Sequence, residues 1–121
     1  MSKRILVIED EEDNRRIVRD LLTSVGYEII EAVTGEEGVK AAETQLPDLI
    51  LMDIQLPGLD GYEATRQIRA NPALRKIPII AVTSYALSGD DVKAFEAGCD
   101  AYISKPFSPR ALLAKIREYL P

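Results

Sequence analysis

Leu49-Ile50-Leu51-Met52-Asp53-Ile54-Gln55-Leu56-Pro57-Gly58 opens as an unbroken apolar run and stops on a carboxylate. A run with no polar alternation is the pattern of a strand that helices cover on both sheet faces. A charge at the end of such a strand is costly unless it is paired or kept in contact with water. Pro57-Gly58 then turns the chain. Asp53 is therefore expected at the carboxyl end of a central strand, in the crevice where open α/β sheets hold their ligands.

Outward from that run the same grammar repeats. Arg4-Ile5-Leu6-Val7-Ile8 reads as a buried strand that ends in acid, Glu9-Asp10-Glu11-Glu12-Asp13. Glu11, Glu12 and Asp13 suit the amino end of a helix, where they complement its dipole. That helix is expected to turn Ile17, Val18, Leu21, Leu22 and Val25 inward, with Gly26 as its C-cap. Tyr27 to Ala32 reads as a weaker strand at or near an edge. Thr34-Gly35-Glu36-Glu37 is a capping box for a helix with Val39, Ala42 and Leu46 inward, stopped by Pro47.

Beyond the Asp53 strand, Asp60-Gly61-Tyr62-Glu63 caps a helix running to about Asn71-Pro72. Ile77 to Val82 forms a fourth strand ending at Thr83-Ser84. Ser88-Gly89-Asp90-Asp91 opens a helix with Val92 and Phe95 inward, closed by Gly98. Asp100 to Ser104 is a short fifth strand that ends at Lys105-Pro106. Ser108 caps the last helix, with Pro109 at its first position and Leu112, Leu113, Ile116 and Leu120 buried. Five strands alternating with five helices imply a three-layer α/β fold with a parallel sheet, and the flavodoxin-like order 2-1-3-4-5.

The totals narrow the chemistry. A chain of 121 residues suits one domain, 1–121, with one core. A net charge of −5 argues against non-specific nucleic-acid binding, and the basic residues Arg66, Arg69, Arg75 and Lys76 read as a solvated patch. One cysteine, Cys99, excludes a disulfide framework and reads as a small buried filler. The absence of histidine excludes Ser-His-Asp and Cys-His catalysis and histidine-ligated zinc. No apolar run reaches membrane-spanning length and no signal peptide precedes Lys3-Arg4, so the chain reads as cytoplasmic. Met1 and the compact ending suit a whole protein.

In this fold the strand ends deliver Glu9 and Asp10, Asp53, Thr83 and Lys105 to one crevice. Clustered carboxylates repel and raise some of their own pKa values. A hard divalent cation such as Mg²⁺ relieves that repulsion. Asp53 can then attack a phosphoryl group as a carboxylate nucleophile, which needs no general base. Lys105 and the cation would neutralise the charge on the transferred oxygens. Thr83 offers a rotatable hydroxyl. Glu9 stands evenly between a role near the cation and a place in the solvated loop.

These residues give the chain its resemblance to the response-regulator receiver domains of bacterial two-component signalling. The resemblance spans essentially the whole chain: Glu9-Asp10, then Asp53 with Leu56-Pro57-Gly58 and Asp60-Gly61, then Thr83-Ser84, then Lys105-Pro106. The wording around Asp53 and Lys105 is similar to single-domain receivers of the DivK/CheY-like type, and also to receiver modules of hybrid kinases.

The resemblance implies Asp53 as phosphoacceptor. It implies Mg²⁺ held by Asp10, Asp53 and the Gln55 carbonyl, with Glu9 acting through water. It implies Thr83 and Tyr102 as switch residues, and Lys105 as the phosphate's partner ahead of a cis proline. A sensor histidine kinase or histidine phosphotransfer protein would supply the phosphoryl group and dock on the first helix. A downstream protein would read the fourth helix, fifth strand and fifth helix, with neither nucleic acid nor membrane involved. Gln55 and Tyr85 occupy the positions that tune hydrolysis in this family, and the bulk of Tyr85 predicts a longer-lived phosphorylated state than in chemotaxis relays.

On this reading the chain is a phosphoacceptor and not an enzyme in the ordinary sense. A module cut from a larger regulator is the alternative. A haloacid-dehalogenase-type phosphatase would want a carboxylate where Gln55 stands. A flavodoxin-like electron carrier would find its phosphate repelled by Glu9 to Asp13.

Overall fold

The computed structural model describes residues 2–83 and 90–121. Ser84, Tyr85, Ser88 and Gly89 lie outside the described residues, and with them the expected tuning position and the start of the fourth helix. The strands are β1 (Arg4–Ile8), β2 (Glu28–Ala32), β3 (Leu49–Asp53), β4 (Ile79–Thr83) and β5 (Ala101–Ser104). All pair in parallel, in the order β2-β1-β3-β4-β5. Between and after them run α1 (Glu12–Ser24), α2 (Gly35–Gln45), α3 (Gly61–Ala70), α4 (Asp90–Ala97) and α5 (Pro109–Arg117).

Side-chain alternation along the strands splits the core in two. Leu6, Ile8, Ile50, Met52, Ile79 and Ala81 pack on the face covered by α2, α3 and α4. Ile5, Val7, Leu49, Leu51 and Ile80 pack on the opposite face against Leu22 of α1 and Leu112 and Ile116 of α5. Every residue of β3 and β4 is buried. This is why those two strands read as continuous apolar runs.

The expected caps form. The Thr34 hydroxyl accepts from the Glu37 amide at 3.0 Å, and Glu37 reaches back to the Val33 amide at 2.9 Å, one residue earlier than a standard capping box. Asp60 accepts from the Glu63 amide and Ser108 from the Ala111 amide. Gly26, at φ 99°, ends α1 in the left-handed region.

The helix faces differ from expectation at five residues. Leu22 is the fully buried residue of α1, while Ile17 and Val25 are 62% and 41% exposed. Val25 already lies at the C-cap, where the chain turns off the sheet. Leu46 is likewise a C-cap, at φ 47°, and its side chain leaves the helix face it was expected to share with Ala42. In α4 the inward residues are Ala94 and Ala97, and Val92 and Phe95 are about half exposed. Two alanines three apart let the helix lie close to the sheet, which turns its large apolar residues to solvent.

Arg69 is a second correction to a surface reading. Arg66, Arg75 and Lys76 are exposed, but Arg69 folds across the α3–β4 and α4–β5 connections. Its guanidinium donates to the carbonyls of Gly98, Leu74 and Ile77 at 2.8–3.1 Å and to Asp100 at 2.7 Å. Asp100 also accepts from the Ile79 amide at 2.8 Å. The clamp fixes the start of β4 and the turn into β5, and so the strands that end at Thr83 and Ser104.

Gly61 sets how closely α3 approaches the end of β3. A β-carbon there would lie 2.6 Å from Ile54 Cα and closer still to the Asp53 carbonyl oxygen, both backbone and unable to yield. Gly61→Ala is therefore expected to destabilise the fold by about 1–3 kcal/mol. Urea denaturation checks this, with a lowered midpoint and an unchanged slope as the expected result.

Candidate functional site

Strand register carries the acids together. Ile8 pairs with Met52, so the residues that follow, Glu9 and Asp53, leave β1 and β3 side by side. Asp53 pairs with Val82, and the next amide, that of Ile54, donates to the Val82 carbonyl at 3.0 Å. Thr83 pairs with Ser104, and the Lys105 amide donates to the Thr83 carbonyl at 2.6 Å. Four neighbouring strands thus end on one rim with Glu9, Asp53, Thr83 and Lys105.

Glu9, Asp53 and Thr83 are buried. Carboxylate oxygens of Glu9, Asp10 and Asp53 all lie within 4.8 Å of one another, with Asp10 the most exposed of the three. The Lys105 ammonium sits 2.7 Å from Glu9 Oε1 and 3.6 Å from Asp53 Oδ2. The Gln55 amide donates to Asp53 Oδ1 at 3.1 Å, while the Gln55 side chain faces solvent. The Lys105-Pro106 peptide is cis. Tyr102 is half-buried against the α2–α4 side of the core, on the strand that also ends in Lys105.

Glu9 departs furthest from its loop reading. It is buried, and both its oxygens are engaged: Oε1 by Lys105 and Oε2 by the Glu11 amide at 3.4 Å. A run of five acids in sequence says nothing about which one folds back under the loop. Arg15, not singled out from the sequence, donates to the Glu9 carbonyl at 3.0 Å and pairs with Glu31 at 3.1 Å. Its only sequence signal was its place one turn into the helix that follows the acids.

The electrostatics follow from burial and crowding. Burial pushes Asp53 up, the adjacent Glu9 carboxylate pushes it further, and Lys105 and the Gln55 amide only partly offset them, leaving it at about 7. For Glu9 burial works the same way, but hydrogen bonds from Asp53 and Lys105 outweigh it and hold the carboxyl below its usual range. Burial would lower Lys105, yet its contacts with Glu9 and Asp53 raise it. Cys99 is buried beside the Thr65 hydroxyl at 3.7 Å, and burial raises its thiol. It is the buried filler expected.

The donor set suits a hard cation. Three carboxylates on a rim open at Asp10 match the oxygen chemistry of Mg²⁺, which binds through one or two carboxylates and keeps several waters. Beside the rim a cleft of about 510 Å³ runs between α1 and α5, with Ile17, Val18 and Phe107 along its sides and Asp53 and Lys105 at its end.

A pH dependence follows. Between about pH 4 and 7 the folded state keeps a proton on Asp53 that the unfolded chain has released. Stability from this group therefore falls as pH rises through that window and is level above it. Without divalent cations at pH 8, Asp53→Asn is expected to stabilise the protein by on the order of 1–3 kcal/mol, and below pH 4 hardly at all. Adding Mg²⁺ at pH 8 should raise the melting temperature of the wild type and not of the variant. Thermal melts at the two pH values, with EDTA or Mg²⁺, check both.

A family model described as response regulator receiver domain matches residues 5–117. The polar-differentiation response regulator DivK of Brucella ovis is 44% identical over 120 residues, which is 99% of this chain and 98% of that protein. Among solved structures, the receiver domain of a sensor histidine kinase from Pseudomonas aeruginosa PAO1 is 40% identical with a TM-score of 0.92, over 99% of this chain and 98% of that one. It holds a magnesium ion coordinated in its active-site cleft. A CheY-like receiver domain protein from Methanospirillum hungatei JF-1 is 37% identical with a TM-score of 0.90, over 99% and 94%.

Proposed function

The chain belongs to the response-regulator receiver family of two-component signalling, and from that premise we propose that Asp53 accepts a phosphoryl group and thereby switches the binding of a downstream protein. The observation that supports this most is the setting of Asp53. It is a buried carboxylate at the end of the central strand, 3.6 Å from an ammonium and crowded by two further acids. A carboxylate so placed is unstable alone; added cationic charge relieves it and offsets the further negative charge that an incoming phosphoryl group brings.

In the transfer, an Asp53 oxygen forms a bond to phosphorus as the bond from phosphorus to the donor breaks. The donor is a phosphohistidine of a sensor kinase or phosphotransfer protein, and its imidazole leaves with the electron pair. Asp53 attacks as the anion and needs no base. Asp10, Asp53 and the Gln55 carbonyl would hold Mg²⁺, which would supply charge to offset the phosphoryl oxygens. The Gln55 amide orients the Asp53 carboxylate. Lys105 pairs with a phosphoryl oxygen, and the Thr83 hydroxyl donates to another. The cleft beside α1, with Ile17 exposed at its lip, admits the donor.

The readout passes through residues 1–121 as one receiver module. Movement of Thr83 toward the phosphoryl group draws Tyr102 with it and alters the face made by α4, β5 and α5, where Val92 and Phe95 stand half exposed. Gln55 and Tyr85 set the lifetime of the acyl phosphate by obstructing water.

Incubation of the intact protein with acetyl phosphate and Mg²⁺ is expected to add one phosphoryl group by mass spectrometry, and none to Asp53→Ala. Lys105→Met should slow the addition by on the order of tenfold or more while leaving the fold intact. Tyr85→Ala should shorten the life of the phosphorylated form after the donor is removed. An equal lifetime for that variant would contradict the role given to Tyr85, and labelling of Asp53→Ala would contradict the whole assignment.

A further inference from the structure

Of the three arginines of α1, Arg15 is the one that folds inward. Its side chain is 15% exposed, against 55% for Arg16 and 41% for Arg19. A guanidinium taken this far from water is costly unless its donors are met. Two nitrogens of Arg15 are met by two different elements. Nε donates to Glu31 Oε1 of β2 at 3.1 Å, and a terminal nitrogen donates to the Glu9 carbonyl at 3.0 Å. Glu31 is held in turn by Arg19, one turn further along α1, at 3.3 Å. The Glu9 carbonyl belongs to the peptide that leads into Asp10. On its other side the Glu9 amide donates to the Ala32 carbonyl at 3.1 Å, so the end of β1 is tied to β2 both directly and through Arg15. The Arg15 amide also donates to the Glu11 carbonyl at 3.0 Å, which closes the loop of acids by backbone and side chain of one residue. The carboxylates of Glu9 and Asp53 accept bonds of their own, from Lys105 and the Glu11 amide and from the Gln55 amide. For Asp10 the brace lies on the peptide before it.

We propose that Arg15 is a positioning residue of the cation site: it holds the Glu9–Asp10 peptide so that the Asp10 carboxylate already stands near Asp53 when a cation arrives, and Glu31 of the neighbouring strand holds Arg15. The inference rests on the acidic rim as a Mg²⁺ site. Two effects of one side chain then oppose each other. By charge alone a guanidinium beside the acids repels a cation, so its removal should tighten Mg²⁺ binding. By position it sets the oxygens that receive the cation, so its removal should weaken binding. Position is the larger effect, because carboxylates that must be ordered at the moment of binding spend part of the affinity on that ordering.

Mg²⁺ can be titrated onto the ¹⁵N-labelled full chain and followed by NMR at the Asp10 and Gln55 amides. Arg15→Met, which keeps an apolar stem, is expected to weaken Mg²⁺ binding by about fivefold or more. Arg16→Met removes the same charge one residue along the helix and should weaken it by less than about twofold. Arg15→Lys keeps the charge but offers one nitrogen to two partners. It should weaken binding by about twofold or more, and it carries the test if thermal melts show Arg15→Met to be unfolded.

An unchanged or tighter affinity in Arg15→Met, with only the melting temperature lowered, is the mark of a merely structural arginine and would overturn the proposal. So would an unchanged affinity in Arg15→Lys where that variant carries the test, or an equal loss in Arg16→Met. No Mg²⁺-dependent shift in the wild type would instead remove the cation site on which the proposal stands.

Discussion

Two carboxylates and one ammonium, confined to a buried rim, are the constraint on which the rest of this structure turns. Glu9 and Asp53 sit side by side because β1 and β3 are neighbours in register, and Lys105 reaches both from the far edge of the sheet. One positive charge cannot satisfy two buried negative ones. The shortfall appears as a carboxyl on Asp53 lifted to about 7, while hydrogen bonds from Asp53 and Lys105 hold Glu9 below its usual range. A fold selected for stability alone would replace such a cluster with apolar side chains. Such a rim suits a molecule that meets a cation, whose charge completes the balance and offsets that of an incoming phosphoryl group.

The scaffold around the rim is correspondingly rigid. β3 and β4 are buried along their whole length, and the two core clusters press on both sheet faces. Gly61 lets α3 start almost in contact with the backbone of Asp53 and Ile54. Arg69 ties the loops at the opposite edge of the sheet, so that β4 and β5 enter in fixed register and end opposite one another at Thr83 and Ser104. Precision at one edge of the sheet thus depends on hydrogen bonds made at the other.

Much of this was legible in the sequence because strands buried on both faces leave continuous apolar runs, and a run that stops on Asp53 or before Lys105-Pro106 announces its own functional end. Sheet order followed from alternation and handedness. What was not legible was the direction of individual side chains. Glu9 reads like the acids that follow it, and only the tertiary position of Lys105 draws it under the loop. Arg69 reads like its basic neighbours, yet five acceptors on two loops lie within its reach. In α4 the large residues Val92 and Phe95 suggested an inward face, but Ala94 and Ala97 permit the closer approach and so take it. Periodicity finds that a helix has a face; packing distance decides which face it is.

In the proposed transfer the crowded carboxylate of Asp53 becomes a mixed anhydride with phosphate. Reduction by borohydride tests the bond itself, since it converts an acyl phosphate of aspartate to homoserine and leaves a free carboxylate and phosphate esters of serine or threonine untouched. After incubation with acetyl phosphate and Mg²⁺, peptide sequencing should find homoserine at position 53 and nowhere else. Aspartate intact at position 53, with homoserine elsewhere or absent, would contradict the account.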